Sequence, residues 1–309
     1  MALTLFHQTV GLFLIMGLGY ALVRTGVLHA QESRTLSLVS VYIVQPCVIL
    51  HAFQIEFTPA VRQGFLLAAG CAAAYYLCMF ILDGALHKPL GLTPEERGSV
   101  IYANTGNLLI PLVTSMFGRE GVVTVSALMA VQLCFIWTQG ASLLRGEKGF
   151  SLTGLLKNIN LISIAAGLLL LVFGIRIPAI LAAPMESVAG TFGPLCMIMM
   201  GMIFAGTDLG AILKNRRIYG VALLRMAAVP LLVLSVIRFT GAARFAPDGH
   251  RILYIFFLSI MTPTAMLVTQ LSQFYGKDAA KASAINVLTT LSCVVTMPLL
   301  TALYTAVMQ

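Results

Sequence analysis

The chain has 309 residues, 59% of them hydrophobic and only 10% charged, with a mean hydropathy of +0.94. Soluble domains carry about 25% charged residues, so this composition excludes a water-soluble fold and makes lipid the solvent. Nineteen Lys and Arg outnumber eleven Asp and Glu, but they stand singly in short loops between apolar runs, a membrane pattern rather than a nucleic-acid-binding face.

The opening MALTLFHQTVGLFLIMGLGYALVRTG has Arg24 after its apolar run and no basic residue before it. It reads as a first transmembrane helix over 4–23, not as a signal peptide. Apolar runs of spanning length follow at 35–53, 61–82, 96–117, 121–144, 159–175, 181–206, 217–239, 250–274 and 279–307, so ten crossings are expected. With the amino terminus outside, the inner loops hold twelve basic residues and the outer loops six, Arg225 belonging to neither. This asymmetry places both termini outside. The six cysteines lie in apolar runs without CxxC spacing, and read as small buried hydrophobes.

An internal echo organises these spans. MFGRE at 116–120 matches FYGKD at 274–278 in character, and VSAL after the first matches ASAI after the second. QPCVIL around Pro46 has its partner in GPLCMI around Pro194. Spans two, four and five therefore resemble seven, nine and ten. Five being odd, two successive copies must be inverted in the membrane, the plan of many secondary transporters. The expected organisation is a first repeat over 1–144, a cytoplasmic linker over 145–158 and a second repeat over 159–309.

Span four contains YANTGNLLIP, with Asn104, Thr105, Gly106, Asn107 and Pro111. Its mate, span nine, contains MTPTAMLVTQ, with Thr262, Pro263, Thr264, Thr269 and Gln270. Irregular backbone survives in hydrocarbon only where protein or a water-filled cavity satisfies it. Two interruptions at mirrored positions predict a crossing near the bilayer midplane, with half-helix amino ends that suit an anion. Helix packing alone is the plainer reading of such residues. In span two, Gln45, Pro46 and His51 stand together; Pro46 and Pro194 are expected to kink matched helices, and His51 is either a proton relay or a neutral hydrogen-bonded histidine. Arg225 lies eight residues into span eight, about 12 Å by helical rise, and either snorkels to the inner surface or serves as a substrate or partner charge. The Met-rich MIMMGM at 197–202 reads as packing, and no P-loop, HExxH or nucleophile elbow occurs, so an enzyme has little support.

ANTGNLLIPLVTSMFG, TPTAMLVTQLSQFYG and PCVILHAF resemble, in order and spacing, the auxin efflux carrier family, which includes the plant PIN-FORMED carriers and bacterial relatives associated with malonate or malate. The resemblance implies an all-α integral membrane protein of ten helices in two inverted five-helix repeats with crossed broken helices, as in sodium–proton antiporters and bile-acid symporters. It implies a scaffold of spans one, two, six and seven, and a moving unit of spans three to five and eight to ten. Asn104 takes the place of the family's substrate-contacting asparagine and Pro263 that of a crossover proline. Ala103 stands where the plant pattern has proline, so Gly106 supplies the flexibility of the first break.

The expectation is a carrier of small organic anions in a bacterial inner membrane, working by an elevator-like shift. Asn104, Thr105, Asn107, Thr262, Pro263 and Thr264 would bind substrate, with Gly106, Pro111, Pro46 and Pro194 shaping the crossover. His51, Gln45, Thr269, Gln270 and Arg225 are candidates for coupling H+ or Na+. No metal or other cofactor is expected. The partners are the anion, the lipid bilayer and a candidate second copy through the scaffold helices. Rival readings are a sodium-coupled symporter of the same fold and a ligand sensor that does not transport.

Overall fold

A computed structural model describes residues 2–56, 58–146, 156–206, 210 and 214–308. The expected linker at 145–158 falls mostly outside these residues. Everything described is helix or connection; among the described residues the one β-type pairing is an isolated bridge.

In chain order, α1 is Ala2–Arg24. A rod follows from a short turn at Ala30–Glu32 through α2 (Ser33–Val39), a wide π-turn at Ser40–Val44 and α3 (Gln45–Ala52). Next come α4 (Pro59–Leu86) and α5 (Pro94–Ile101), which ends at the first break. The chain resumes with a π-turn at Thr105–Leu109, α6 (Ile110–Phe135), a π-turn at Ile136–Gly140 and α7 (Ala141–Arg145). The second half has α8 (Ile159–Val172), α9 (Ala179–Gly190) and α10 (Phe192–Ala205). It continues with α11 (Arg216–Leu223), a π-turn at Leu224–Ala228 and α12 (Val229–Thr240). Finally, α13 (Gly249–Met261) ends at the second break, and α14 (Met266–Phe274) and α15 (Ala279–Met308) complete the chain.

Helices occupy all ten stretches drawn from the sequence, but six continuous ones among the described residues are long and apolar enough to cross a membrane: Ala30–Ala52, Pro59–Leu86, Thr105–Arg145, Ala179–Ala205, Arg216–Thr240 and Ala279–Met308. Val10–Arg24, Ile159–Val172 and Gly249–Met261 are shorter apolar helices, and Thr105–Arg145 joins the end of one expected span to the whole of the next. Large apolar side chains cover the outside, Ile81, Ile180 and Phe239 being 73%, 81% and 88% exposed, a surface that water would not tolerate. Cysteine burial is less uniform than expected: Cys196 and Cys293 are buried, whereas Cys78 and Cys134 face outward, where an apolar exterior accepts a thiol equally well.

Two groups of helices are distinguishable by packing. In one, α1 lies along α10, and α3 packs on α8 and α9. Backbones touch between α1 and α10: a Cβ on Gly201 would lie 1.9 Å from the Met16 carbonyl oxygen, and one on Gly19 2.0 Å from that of Ile198. In the other, α4 and α13 pack on α6 and on each other, while α15 collects α5, α11 and α14. The groups meet where α3 and α10 face α6 and its preceding π-turn, and where α1 crosses α15.

The echoed MFGRE and FYGKD segments form matching corners. Gly118 and Gly276 both take left-handed backbone, at φ +62° and +65°, a conformation open to glycine without a Cβ clash. Each corner lies against the start of the other interrupted stretch. Glu120 Oε2 pairs with Arg251 Nη2 at 2.8 Å, in the first turn of α13, and the Asp278 amide donates to Glu95 Oε1 at 2.9 Å, in the first turn of α5. Burial pushes the Glu95 carboxyl up, but the Asp278 amide, further local donors and Lys281 outweigh it and hold the group below its ordinary value.

A side chain at Gly201 has backbone, not a movable side chain, in its way. Gly201→Leu is expected to cost at least the ~1–3 kcal/mol of an overpacked core, read as a lower thermal midpoint in detergent; an unchanged midpoint would contradict the close approach. A carboxyl depressed on folding contributes stability above its unfolded pKa, about 4.3 for Glu, and that contribution disappears as pH falls through the lower folded value. The thermal midpoint should therefore drop as the pH goes below about 4.3, and drop less in Glu95→Gln. Parallel pH profiles for the two proteins would count against the Glu95–Asp278 contact.

Candidate functional site

At the first break Tyr102 is extended (φ −98°, ψ 130°), and at the second Thr262 is likewise (φ −69°, ψ 155°). The two breaks cross antiparallel. Ala103 bridges Thr264, the Asn104 amide donates to the Pro263 carbonyl at 2.8 Å, and the Ala265 amide donates to the Tyr102 carbonyl at 2.9 Å. Each break thus satisfies amides that its own helix has abandoned, as an apolar interior demands. The carbonyls left over at the bridge are met by one amide side chain from each long neighbouring helix. Gln132 Nε2 on α6 donates to the Ala103 carbonyl at 2.8 Å, and Asn286 Nδ2 on α15 donates to the Thr264 carbonyl at 2.6 Å. Gln132 Oε1 in turn accepts from the Tyr76 and Thr105 hydroxyls.

Arg225 does not snorkel. It is wholly buried, and its Nη2 donates to the Thr262 carbonyl at 2.9 Å while Nη1 donates to Tyr75 Oη at 3.2 Å and the Val100 carbonyl at 3.4 Å. These carbonyls lie at the carboxyl ends of α13 and α5, where the helix dipoles leave partial negative charge. One guanidinium neutralises both ends. The opposite ends, the amino termini of the resumed helices, remain electropositive.

Those amino ends meet the other helix group. Asn104 Oδ1 caps the resumed helix by accepting from the Asn107 amide at 3.3 Å. Asn107 Nδ2 lies 3.8 Å from Met266 Sδ on α14, and its Oδ1 4.0 Å from Cys196 Sγ on α10. Across the interface, Gln45 Oε1 accepts from Asn160 Nδ2 at 3.1 Å, while Gln45 Nε2 points at Met129 Sδ, 3.5 Å away. A Cβ on Gly106 would come within 3.0 Å of that same Nε2, so glycine admits the Gln45 amide against the broken helix. Asn160 Oδ1 has no hydrogen-bond partner among the described residues. Thioethers and thiols are weak acceptors and donors. Asn107 Nδ2 and Gln45 Nε2 therefore donate toward sulfur, unlike Gln132 Nε2 and Asn286 Nδ2, which donate to backbone carbonyls.

Of the other residues singled out in the sequence, Thr262 and Thr264 are wholly buried, their hydroxyls donating to the Ser259 and Ser99 carbonyls at 2.7 and 3.0 Å. Pro263 is a backbone acceptor in the crossing. Pro46 follows Gln45 at the start of α3. Thr269 Oγ1 has no partner among the described residues, and Gln270 is exposed on α14. Pro111, Pro194 and His51 line a cavity of about 570 Å³ between α1, α3, α6, α9 and α10. Its wall reaches Val48 and Pro111, Pro111 lying about one helical turn beyond Asn107, and it stops short of the crossing. Gln132, Asn286, Asn160 and Ser40 did not figure in the sequence reading, and Cys196 figured there only as a small buried hydrophobe. An amide in a run of apolar residues was the available signal for the first three. For Ser40, whose hydroxyl lies 3.4 Å from Cys196 Sγ, and for Cys196 itself, nothing local marks a role. Among the described residues no three of His, Cys, Asp and Glu come together as a metal-binding group.

Residues 4–154 match the family model described as membrane transport protein, the auxin efflux carrier-like group. Over that stretch, just under half of its length, the chain is similar to that family. It is accordingly a membrane transporter by that similarity and an integral membrane protein by its helices. No curated protein matches it.

Replacing Arg225 by Met keeps bulk but leaves buried carbonyls bare. Each lost charge-assisted bond is expected to cost about 1.5–3 kcal/mol, with Arg225→Lys falling between wild type and Met. Thermal unfolding of the three purified proteins checks this order; equal midpoints would remove the proposed counter-charge.

Proposed function

We propose that the chain is a secondary carrier of small organic anions, with ten crossings in two inverted five-helix repeats and an elevator-like exchange between two faces. The observation that carries this reading is that Asn107 Nδ2 and Gln45 Nε2, the latter packed on Gly106 beside Asn107, have weak sulfur acceptors as their partners next to the amino end of the resumed helix. Amide N–H groups and helix amino termini bind carboxylates without any lysine in the membrane. Arg225 supports the same polarity by occupying the negative ends on the far side of the crossing.

Support for inversion comes from the antiparallel bridge and from the paired glycine corners, each resting on the other repeat's broken helix. Support for relative movement comes from the character of the boundary. Within each group the helices interlock through backbone contact or strong hydrogen bonds; across the boundary, Gln45 Nε2 meets Met129 Sδ and Asn107 Oδ1 meets Cys196 Sγ. Such contacts are inexpensive to exchange for bonds to a substrate. The cavity beside Pro111 then serves as the approach from the side that holds Arg119 and Glu186, the outer side by the distribution of basic residues. Export of an anion down the membrane potential gains ~2.3 kcal/mol per charge per 100 mV, so a carrier of this kind needs no intramembrane carboxylate.

Malonate and malate, in radiolabelled form, are the substrates to try first in proteoliposomes. Asn107→Ala and Gln45→Leu are each expected to lower the uptake rate by about tenfold or more, the worth of one hydrogen bond to a charged group, and Asn104→Ala to abolish or sharply weaken it through loss of the cap. The variants should express and purify like wild type. Uptake unchanged in Asn104→Ala and Asn107→Ala would remove the site.

A further inference from the structure

The mouth of the 570 Å³ cavity holds three ionisable side chains drawn from both helix groups. His51 stands on α3 and Glu186 on α9, while Arg119 stands on the Gly118 corner of α6. Glu186 Oε1 lies 3.5 Å from Arg119 Nη2 and 3.8 Å from His51 Nε2. One carboxylate oxygen is thus suspended between two donors at distances longer than a good charge-assisted bond, about 2.7–2.9 Å. Arg119 is not claimed by the acid next to it in sequence: Glu120 is engaged by Arg251 at 2.8 Å. The Glu186 side chain is 63% exposed and free to swing outward, and exposed pairs of this kind hold weakly.

Resting on the reading of the chain as an organic-anion carrier, we infer that Arg119 and His51 form an outer carboxylate subsite, which Glu186 fills with its own carboxylate and from which an incoming organic anion displaces it. The geometry supplies the parts. Arg119 offers a planar fork suited to a carboxylate, and His51 in its Nε2–H form offers a second donor on the opposite wall. The cavity has room for a small dicarboxylate and leads toward Pro111 and Asn107. Walls of low dielectric focus the field of Arg119 into the opening and raise the local anion concentration. Because the two donors belong to different helix groups, an anion held by both also draws the corner of α6 toward α3, which Glu186, already on the α3 side, does only loosely.

Isothermal titration of the purified full chain with malonate at low ionic strength, with chloride as the control anion, tests this. Glu186→Gln removes the competing carboxylate and keeps the shape, so malonate should bind about two- to fivefold more tightly, the range of a weak exposed pair. Arg119→Gln should bind it about tenfold or more weakly, with Arg119→Lys between. Glu186→Gln binding no more tightly than wild type, Arg119→Gln binding equally well, or no heat from malonate in any of the proteins would each overturn the subsite. Uptake by Asn107→Ala, measured alongside, keeps the two readings apart. Undiminished uptake there with tighter binding in Glu186→Gln would sink the central site and leave the subsite standing, and the converse pattern would do the reverse.

Discussion

Everything in this structure depends on two hydrogen bonds between segments from opposite halves of the chain: Asn104 N–H to the Pro263 carbonyl, and Ala265 N–H to the Tyr102 carbonyl. An apolar interior offers an interrupted helix no water, and an unpaired backbone group there costs several kcal/mol. A single broken helix would have to be repaired by side chains alone. Two breaks laid antiparallel repair each other, and the remaining carbonyls need only Gln132, Asn286 and Arg225. The arrangement separates charge as well: one cation for both carboxyl ends, none for the amino ends. That leaves a positive potential at the resumed amino ends that comes from backbone dipoles.

The contrast among the buried amides follows from this division. Gln132 and Asn286 are bonded to backbone at 2.8 and 2.6 Å and belong to the framework. Asn107 Nδ2 and Gln45 Nε2 address sulfur atoms at 3.8 and 3.5 Å, and these are the amides proposed for the working surface. Residue type does not separate these roles; the partner does.

The same distinction explains how much could be read from the amino-acid sequence. The interruptions at 102–107 and 262–264 were legible because Asn, Gly, Thr and Pro are poor choices for a membrane helix, and two such groups stood at echoed positions. The corners at Gly118 and Gly276 were legible for a similar reason, since glycine between a hydrophobic and a charged residue marks a turn. Arg225 was legible as an anomaly only. Its depth followed from helical rise, but which way the side chain points depends on carbonyls contributed by α5 and α13, far away in the chain. The hydroxyls of Thr262 and Thr264 point at carbonyls of Ser259 and Ser99, a fact of local geometry that composition cannot carry. Cys196 and Met266 were invisible as contacts of Asn107 because sulfur side chains in apolar runs have the look of filler. The number of membrane-crossing helices was obscured in another way: a break shortens one rod and a tight corner fuses two.

The wide turns at Ser40–Val44, Thr105–Leu109, Ile136–Gly140 and Leu224–Ala228 carry a consequence for any attempt to align or edit this chain. A π-turn holds one residue more than an α-helical turn, and one residue of α-helix is worth about 100° of rotation. Excising a single amino acid from one of them would leave an ordinary α-helical turn that closes the same circle with one residue fewer, so the side chains beyond it keep their faces. A gap of length one in any of these four places is thus absorbed within a single turn, whereas the same gap in the regular helix beside it would rotate the downstream half-rod by about 100°.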